Sequence, residues 1–87
     1  MKEITINCTQ ISSRAELHEI LARELNLPAR YGRNLDALHD CLTAICEDTR
    51  LNFLHFPALP FPTAGFLRVL RDSESENPHL EIFLITN

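Results

Sequence analysis

The residues best placed to do chemistry lie in one stretch, Tyr31-Gly32-Arg33-Asn34-Leu35-Asp36-Ala37-Leu38-His39-Asp40-Cys41-Leu42. Asp36 and Asp40 are four residues apart, so on a helix their carboxylates stand one turn apart on the same side. Leu35, Leu38, Leu42 and Ile45 recur at three- and four-residue spacing, an apolar stripe turned away from Asp36, Asp40 and Thr43. One face can bury while the other presents two like charges. No Lys or Arg follows Asp40 within a turn, and such a pair costs a helix about 0.2–0.5 kcal/mol. Two meanings are open: a plain solvated face, or a negative edge that meets something positive.

Other chemistries find little support. Gly32 and Gly65 are the only glycines, which leaves no phosphate-binding loop and no dinucleotide fingerprint. There is no GxSxG elbow. His18, His39, His55 and His79 fall in different segments. Asp36 and His39 form an i,i+3 pair that could hold a metal, but no third ligand follows at a fixed spacing. A small hydrolase built from Asp36, His39 and Asp40 would need bound metal or measurable turnover to support it. Cys8, Cys41 and Cys46 are odd in number and lack CxxC spacing, which suggests packing residues and free thiols in a reducing compartment. The cytoplasm is the expected location. A net charge of −4 without a basic stripe argues against nucleic acid. No apolar run approaches a membrane span, and the N-terminus lacks a signal-peptide core. The expectation is therefore a non-enzyme with no cofactor, no metal and no small-molecule substrate.

The elements that position these residues follow from the pattern. The 87 residues suffice for a single domain, 1–87, with a core that buries about 60% of the unfolded surface. Residues 3–7 alternate apolar and polar, which predicts a short strand. Ser13-Arg14-Ala15-Glu16 fits a capping box, and Leu17, Ile20, Leu21 and Leu25 predict a helix over 13–26. Pro28 closes it by disfavouring helical backbone in the preceding residue. The loop 29–33 leads to a central helix, 34–46, capped by Asn34. Residues 51–55 predict a second strand, after which Pro57, Pro60 and Pro62 exclude regular helix or central strand. Thr63 is placed to cap a third helix carrying Phe66, Leu67, Val69 and Leu70, fading into residues 73–78. The nearly continuous apolar run 80–85 predicts a strand covered on both faces. Strands alternate with helices through connections too long for hairpins. The fold class is α/β, a small three-stranded parallel sheet packed with helices. A recognition face then comprises the 29–34 loop, the outer side of the central helix (Asp36, His39, Asp40, Thr43), and acid from Asp72, Glu74 and Glu76.

These residues resemble the barstar family of bacterial ribonuclease inhibitors. The Tyr31-Gly32-x-Asn34-Leu35-Asp36-Ala37-Leu38-x-Asp40-Cys41-Leu42 segment is similar to the family's most characteristic one. The likeness continues through Ile11, Leu17-His18, Glu24-Leu25-x-Leu27-Pro28 and, more weakly, Val69-x-Arg71-Asp72 and the final apolar strand. It implies a three-stranded parallel sheet with helices against it. It also implies an intracellular immunity or antitoxin-type protein whose partner is a basic extracellular or toxin-type ribonuclease, blocked at its active site. By position, Asp40 would enter the nuclease's phosphate pocket and Asp36 would meet a donor on its rim. Asn34, Leu35 and Thr43 would add contacts, and Asp72 would supply acid from the last helix. The chain departs from the best-known member. Arg30 stands in place of a loop aromatic, Arg33 in place of an acid, and His39 in place of a helix tryptophan. Ala44-Ile45 replaces Gly-Trp, and the proline-rich 56–65 segment leaves no room for the family's small extra helix. Arg30 and His39 remain at the expected binding face. Together, Arg30, Arg33 and His39 change the sign and shape of the face and favour an alternative, a barstar-like adaptor or regulator whose partner is not a ribonuclease.

Overall fold

The computed structural model describes residues 1–86. Its elements run β1 (Lys2–Asn7), α1 (Arg14–Glu24), α2 (Leu35–Thr43), β2 (Thr49–Leu54), α3 (Ala64–Glu76) and β3 (Leu80–Ile85), with single 3-10 turns at Cys8–Gln10 and Phe56–Ala58. The strands form one parallel sheet in the order β1-β2-β3. The α/β class and the three-stranded parallel sheet expected from sequence are therefore present. In place of a further helix, the stretch between β2 and α3 holds only the 3-10 turn. Among the described residues no helix is long and apolar enough to cross a membrane.

Alternation in the strands sends one set of side chains inward. Ile4, Leu51 and Ile82 lie side by side across the sheet, as do Ile6, Phe53 and Leu84. The first five of these are buried and Leu84 packs against them. Phe53, Phe56 and Phe66 close the core through edge and stacked contacts with centroids 5.7–6.3 Å apart, geometries that suit aromatic quadrupoles. Cys8 belongs to this core, and burial pushes its thiol up to about 11. It is a packing residue.

The other face of the sheet is wet, which corrects the expectation that β3 is covered on both sides. β3 is an edge strand and Phe83 is 45% exposed. Arg50 reaches Glu3 at 3.6 Å and Glu81 at 3.3 Å across the three strands, and lies over the Phe83 ring. A continuous apolar run misled here because Phe83 is sheltered by the aliphatic stem and guanidinium of a neighbour instead of a helix.

The helix ends differ from expectation for identifiable reasons. In α1, Ser13 accepts the Glu16 amide, but the Glu16 carboxylate reaches back to the amide and hydroxyl of Ser12, one residue earlier than a regular capping box. The helix stops at Glu24, not 26, because Asn26 adopts left-handed backbone with φ 55°. The amide of Leu27 then donates to Ala22 O and that of Asn26 to Arg23 O, a Schellman closure that does not need Pro28. α2 ends at Thr43, not 46, and its trailing carbonyls go to Asn77. Asn77 Nδ2 donates to Leu42 O at 2.9 Å and Ile45 O at 3.0 Å, while its Oδ1 accepts the His79 amide at 2.9 Å. This buried side chain thus ties α2 to the α3–β3 junction. β2 begins at Thr49, two residues early. Thr63 precedes α3, but its side chain makes no capping bond, and α3 continues to Glu76 without the expected fading.

Candidate protein-binding site on the second and third helices

Asn34 starts the site. Its backbone is extended, its Oδ1 accepts the Ala37 amide at 2.8 Å, and its Nδ2 donates to Gly32 O, so the side chain is committed to fixing the loop and the helix start. From this cap α2 buries Leu38 and Leu42 completely. Leu35 was expected on the same buried stripe, but it is 37% exposed at the first turn, where the helix leaves the core. Asp36 and Asp40 point outward as expected, the Asp40 side chain 86% exposed.

α2 packs along α3, and this neighbour completes the face. His39 Nε2 lies 2.8 Å from Glu76 Oε2, and its Nδ1 is 4.0 Å from Asp40 Oδ1. The hydrogen bond with Glu76, with the added charge of Glu76, Asp40 and Asp72, raises the imidazole pKa above its ordinary value. His39 therefore turns to α3, and Asp36 is not among its partners. The i,i+3 metal pair does not form, and among the described residues no three His, Cys, Asp or Glu side chains gather around a common point. Thr43 spends its hydroxyl proton on His39 O at 2.9 Å and Asp40 O at 3.2 Å, leaving only acceptor capacity toward a partner.

Four carboxylates, from Asp36, Asp40, Asp72 and Glu76, belong to this two-helix face, and none has a Lys or Arg partner among the described residues. The contrast with the rest of the molecule is plain. Glu3, Glu19, Glu24, Glu74 and Glu81 all sit against arginines. Glu74, grouped with the acidic face from sequence, instead faces the sheet, pairing with Arg71 and accepting the Ile82 amide at 2.7 Å. Glu76 belongs nearer the centre of the site than sequence alone suggested. Its i,i+4 spacing from Asp72 was the available signal.

The arginines of the loop separate. Arg33, left-handed at φ 52°, is held by Glu19 of α1 and by Tyr31 O at 3.2 Å, so its charge is neutralised away from the acidic face. Arg30 is exposed, and it shares a shallow cleft with Asp40 and Cys41. The Cys41 thiol is pushed up by burial and by Asp40, which disfavours the nucleophilic thiolate. Beneath the loop, Tyr31 and His18 are both buried and joined by a 2.6 Å bond between the phenol oxygen and Nδ1.

The arrangement is a negatively charged face carried on two packed helices. Known proteins resemble the chain. One relative is "Putative ribonuclease inhibitor YrdF" of Bacillus subtilis (strain 168), 46% identical over 43 residues, which is 49% of this chain. That alignment spans about half the relative, 47% of its length. The family described as "Barstar (barnase inhibitor)" matches residues 1–84. By this match over nearly its whole length, with which the fold is consistent, the chain belongs to the barstar family.

Proposed function

We propose that this protein, acting as a single domain over residues 1–87, is a cytoplasmic ribonuclease inhibitor of the immunity or antitoxin type. It has no catalytic role of its own. It binds a basic extracellular or toxin-type ribonuclease and covers its active site, with side-chain carboxylates imitating RNA phosphate. The observation that carries this is the set of four carboxylates on α2 and α3 without Lys or Arg partners among the described residues, where the other acids are mostly paired. Such a face is complementary to the Arg, Lys and His side chains that a ribonuclease uses to hold phosphate. Asp40 is the anchor and Asp36 its neighbour; Arg30, Asn34, Leu35, His39, Thr43 and Asp72 surround them.

The test is calorimetric titration against a small panel of basic microbial ribonucleases, with RNA cleavage followed in parallel. The expected result is one-to-one binding that stops cleavage, weakened at least about 100-fold by Asp40→Ala. The fold is unaffected because the removed carboxylate is solvated. Equal binding by Asp40→Ala and wild type would sink the phosphate-imitating anchor.

A second reading has its own support. Arg30 beside Asp40, and His39 engaged with Glu76, give the face a mixed sign that suits an adaptor for a non-nuclease partner. Failure of every ribonuclease in the panel, together with recovery of another partner by its Asp40-dependent binding, would move the assignment there.

A further inference from the structure

A second concave site of opposite character lies where all three helices begin. Arg14, Leu35 and Ala64 are the first residues of α1, α2 and α3, and all three line one cleft of about 380 Å³. The cleft is a concave, mostly apolar site of the kind that holds small ligands. Its walls are apolar: Leu17, Leu35, Phe61 and Phe66. No Asp or Glu lines it.

Of its polar lining, Asn34 is already committed to the Ala37 amide and Gly32 O, and the groups left without partners are donors. α3 has neither a side-chain cap nor an acid in its first turn. The amides of Ala64, Gly65 and Phe66 have no hydrogen-bond partner among the described residues, and they carry the positive end of the helix dipole. The Arg14 guanidinium lies 5.3 Å over the Phe61 ring and has no carboxylate partner among the described residues.

His18 gives an independent indication. It is 7% exposed, and Nδ1 is occupied by the Tyr31 hydroxyl at 2.6 Å. That hydroxyl has no other acceptor among the described residues, so it donates to Nδ1 and leaves the ring proton on Nε2. Nε2–H has no partner either. Ser73 Oγ is the one sealed side-chain N or O without a partner among the described residues. Nε2 is therefore not sealed, and His18 is among the residues that line the cleft.

An apolar chamber whose uncommitted polar groups are donors calls for a ligand with an apolar body and an anionic acceptor. We propose that this cleft binds a small amphipathic carboxylic acid. The aromatic or branched body packs against Leu17, Leu35, Phe61 and Phe66, and the carboxylate is held by Arg14, His18 Nε2–H and the first amides of α3. The cleft adjoins the acidic ridge at Asn34 and Leu35 but uses none of its carboxylates, and the proposal stands whether or not the partner there is a ribonuclease.

The experiment is a ¹H–¹⁵N titration of the whole protein with 3-phenylpropionate to about 10 mM, beside its uncharged primary amide. Saturable shifts are expected at the Ala64, Gly65 and Phe66 amides and at His18 Nε2, with the amide binding at least about tenfold more weakly. Arg14→Glu, exposed at a helix start that tolerates acid, should abolish the carboxylate response. Gly65→Ala offers a control that favours the helix. Its added Cβ would lie 3.1 Å from Leu35 Cδ1, so it narrows the cleft and should weaken binding while the fold holds. Shifts that stay linear, equal responses to acid and amide, or full binding by Arg14→Glu would each overturn the proposal.

Discussion

Asn77→Ala is the sharpest test of how the acidic ridge is held in place. The side chain is buried at 3% exposure and makes three hydrogen bonds, two from Nδ2 to the carbonyls of Leu42 and Ile45 and one to Oδ1 from the His79 amide. The amide orientation is forced, since only nitrogen can face two carbonyls and only oxygen can face an N–H. Truncation removes all three bonds and leaves Ile45 O and the His79 amide to find water. Leu42 O keeps a long bond from the Ile45 amide at 3.4 Å. At about 1 kcal/mol per bond, with a surcharge for unmet buried groups, the loss is about 2–4 kcal/mol. For a chain of this length that lowers Tm by roughly 10–25 °C. Urea denaturation followed by circular dichroism should show a lower midpoint at unchanged slope. Asn77→Asp adds a second reading of the same contact. It keeps the acceptor for His79 but aims a carboxylate at two carbonyls, so it should be less stable than Asn77→Ala at neutral pH. Its folded-state pKa is raised, so the protonated form is favoured by folding, and stability returns as pH falls through that value. An Asn77→Ala midpoint within about 0.5 kcal/mol of wild type would refute the tether.

Three further outcomes follow from the same contacts. Ser73 Oγ is buried without a partner, so Ser73→Ala should stabilise the protein by about 1 kcal/mol in urea titrations; a destabilised variant would mean the hydroxyl has a partner. The His39 pKa is raised chiefly by its hydrogen bond with Glu76, so the stability it confers is full below the ordinary value of 6.5 and is lost as pH rises through the folded-state value. His39→Gln should remove that alkaline-side loss, and an identical pH profile in the variant would contradict it. Phe83→Thr should change stability by no more than about 0.5 kcal/mol, because the ring is exposed on the wet face; a loss as large as a core truncation would show that something covers it.

Much of the fold was legible because short-range rules decided it. The Asn34 cap, the outward pair Asp36 and Asp40, and the inward Leu38 and Leu42 follow from spacing and end chemistry alone. What the chain pattern hid was tertiary. Arg33 finds Glu19 fourteen residues away, and His39 finds Glu76 on a different helix, and no periodicity encodes either pairing. Leu35 reads as core by period but lies where the helix leaves the core. Asn26 in left-handed backbone, not Pro28, stops α1, and Asn77 in a segment that reads as a loop ties three elements together. Both are asparagines: Asn26 tolerates left-handed backbone and Asn77 replaces backbone hydrogen bonds with its amide, and apolar patterning registers neither.

The parallel sheet also gives the molecule a strong mechanical axis. Lys2 pairs with Thr49 and Thr49 with Leu80, so the starts of all three strands lie at one end and the close of β3, at Ile85, lies at the other. Tension between Lys2 and Ile85 drags the outer strands in opposite directions past β2. It loads the bonds of both ladders in shear, and these must fail together. Tension between Lys2 and Leu80, which sit at the same end, would instead peel the strands apart bond by bond. Optical-tweezer handles at the two pairs should record a markedly higher rupture force for the first, and equal forces would contradict this picture. A machine that threads such a chain along the shear axis meets its resistance at the edge strand it reaches, where both ladders must yield at once.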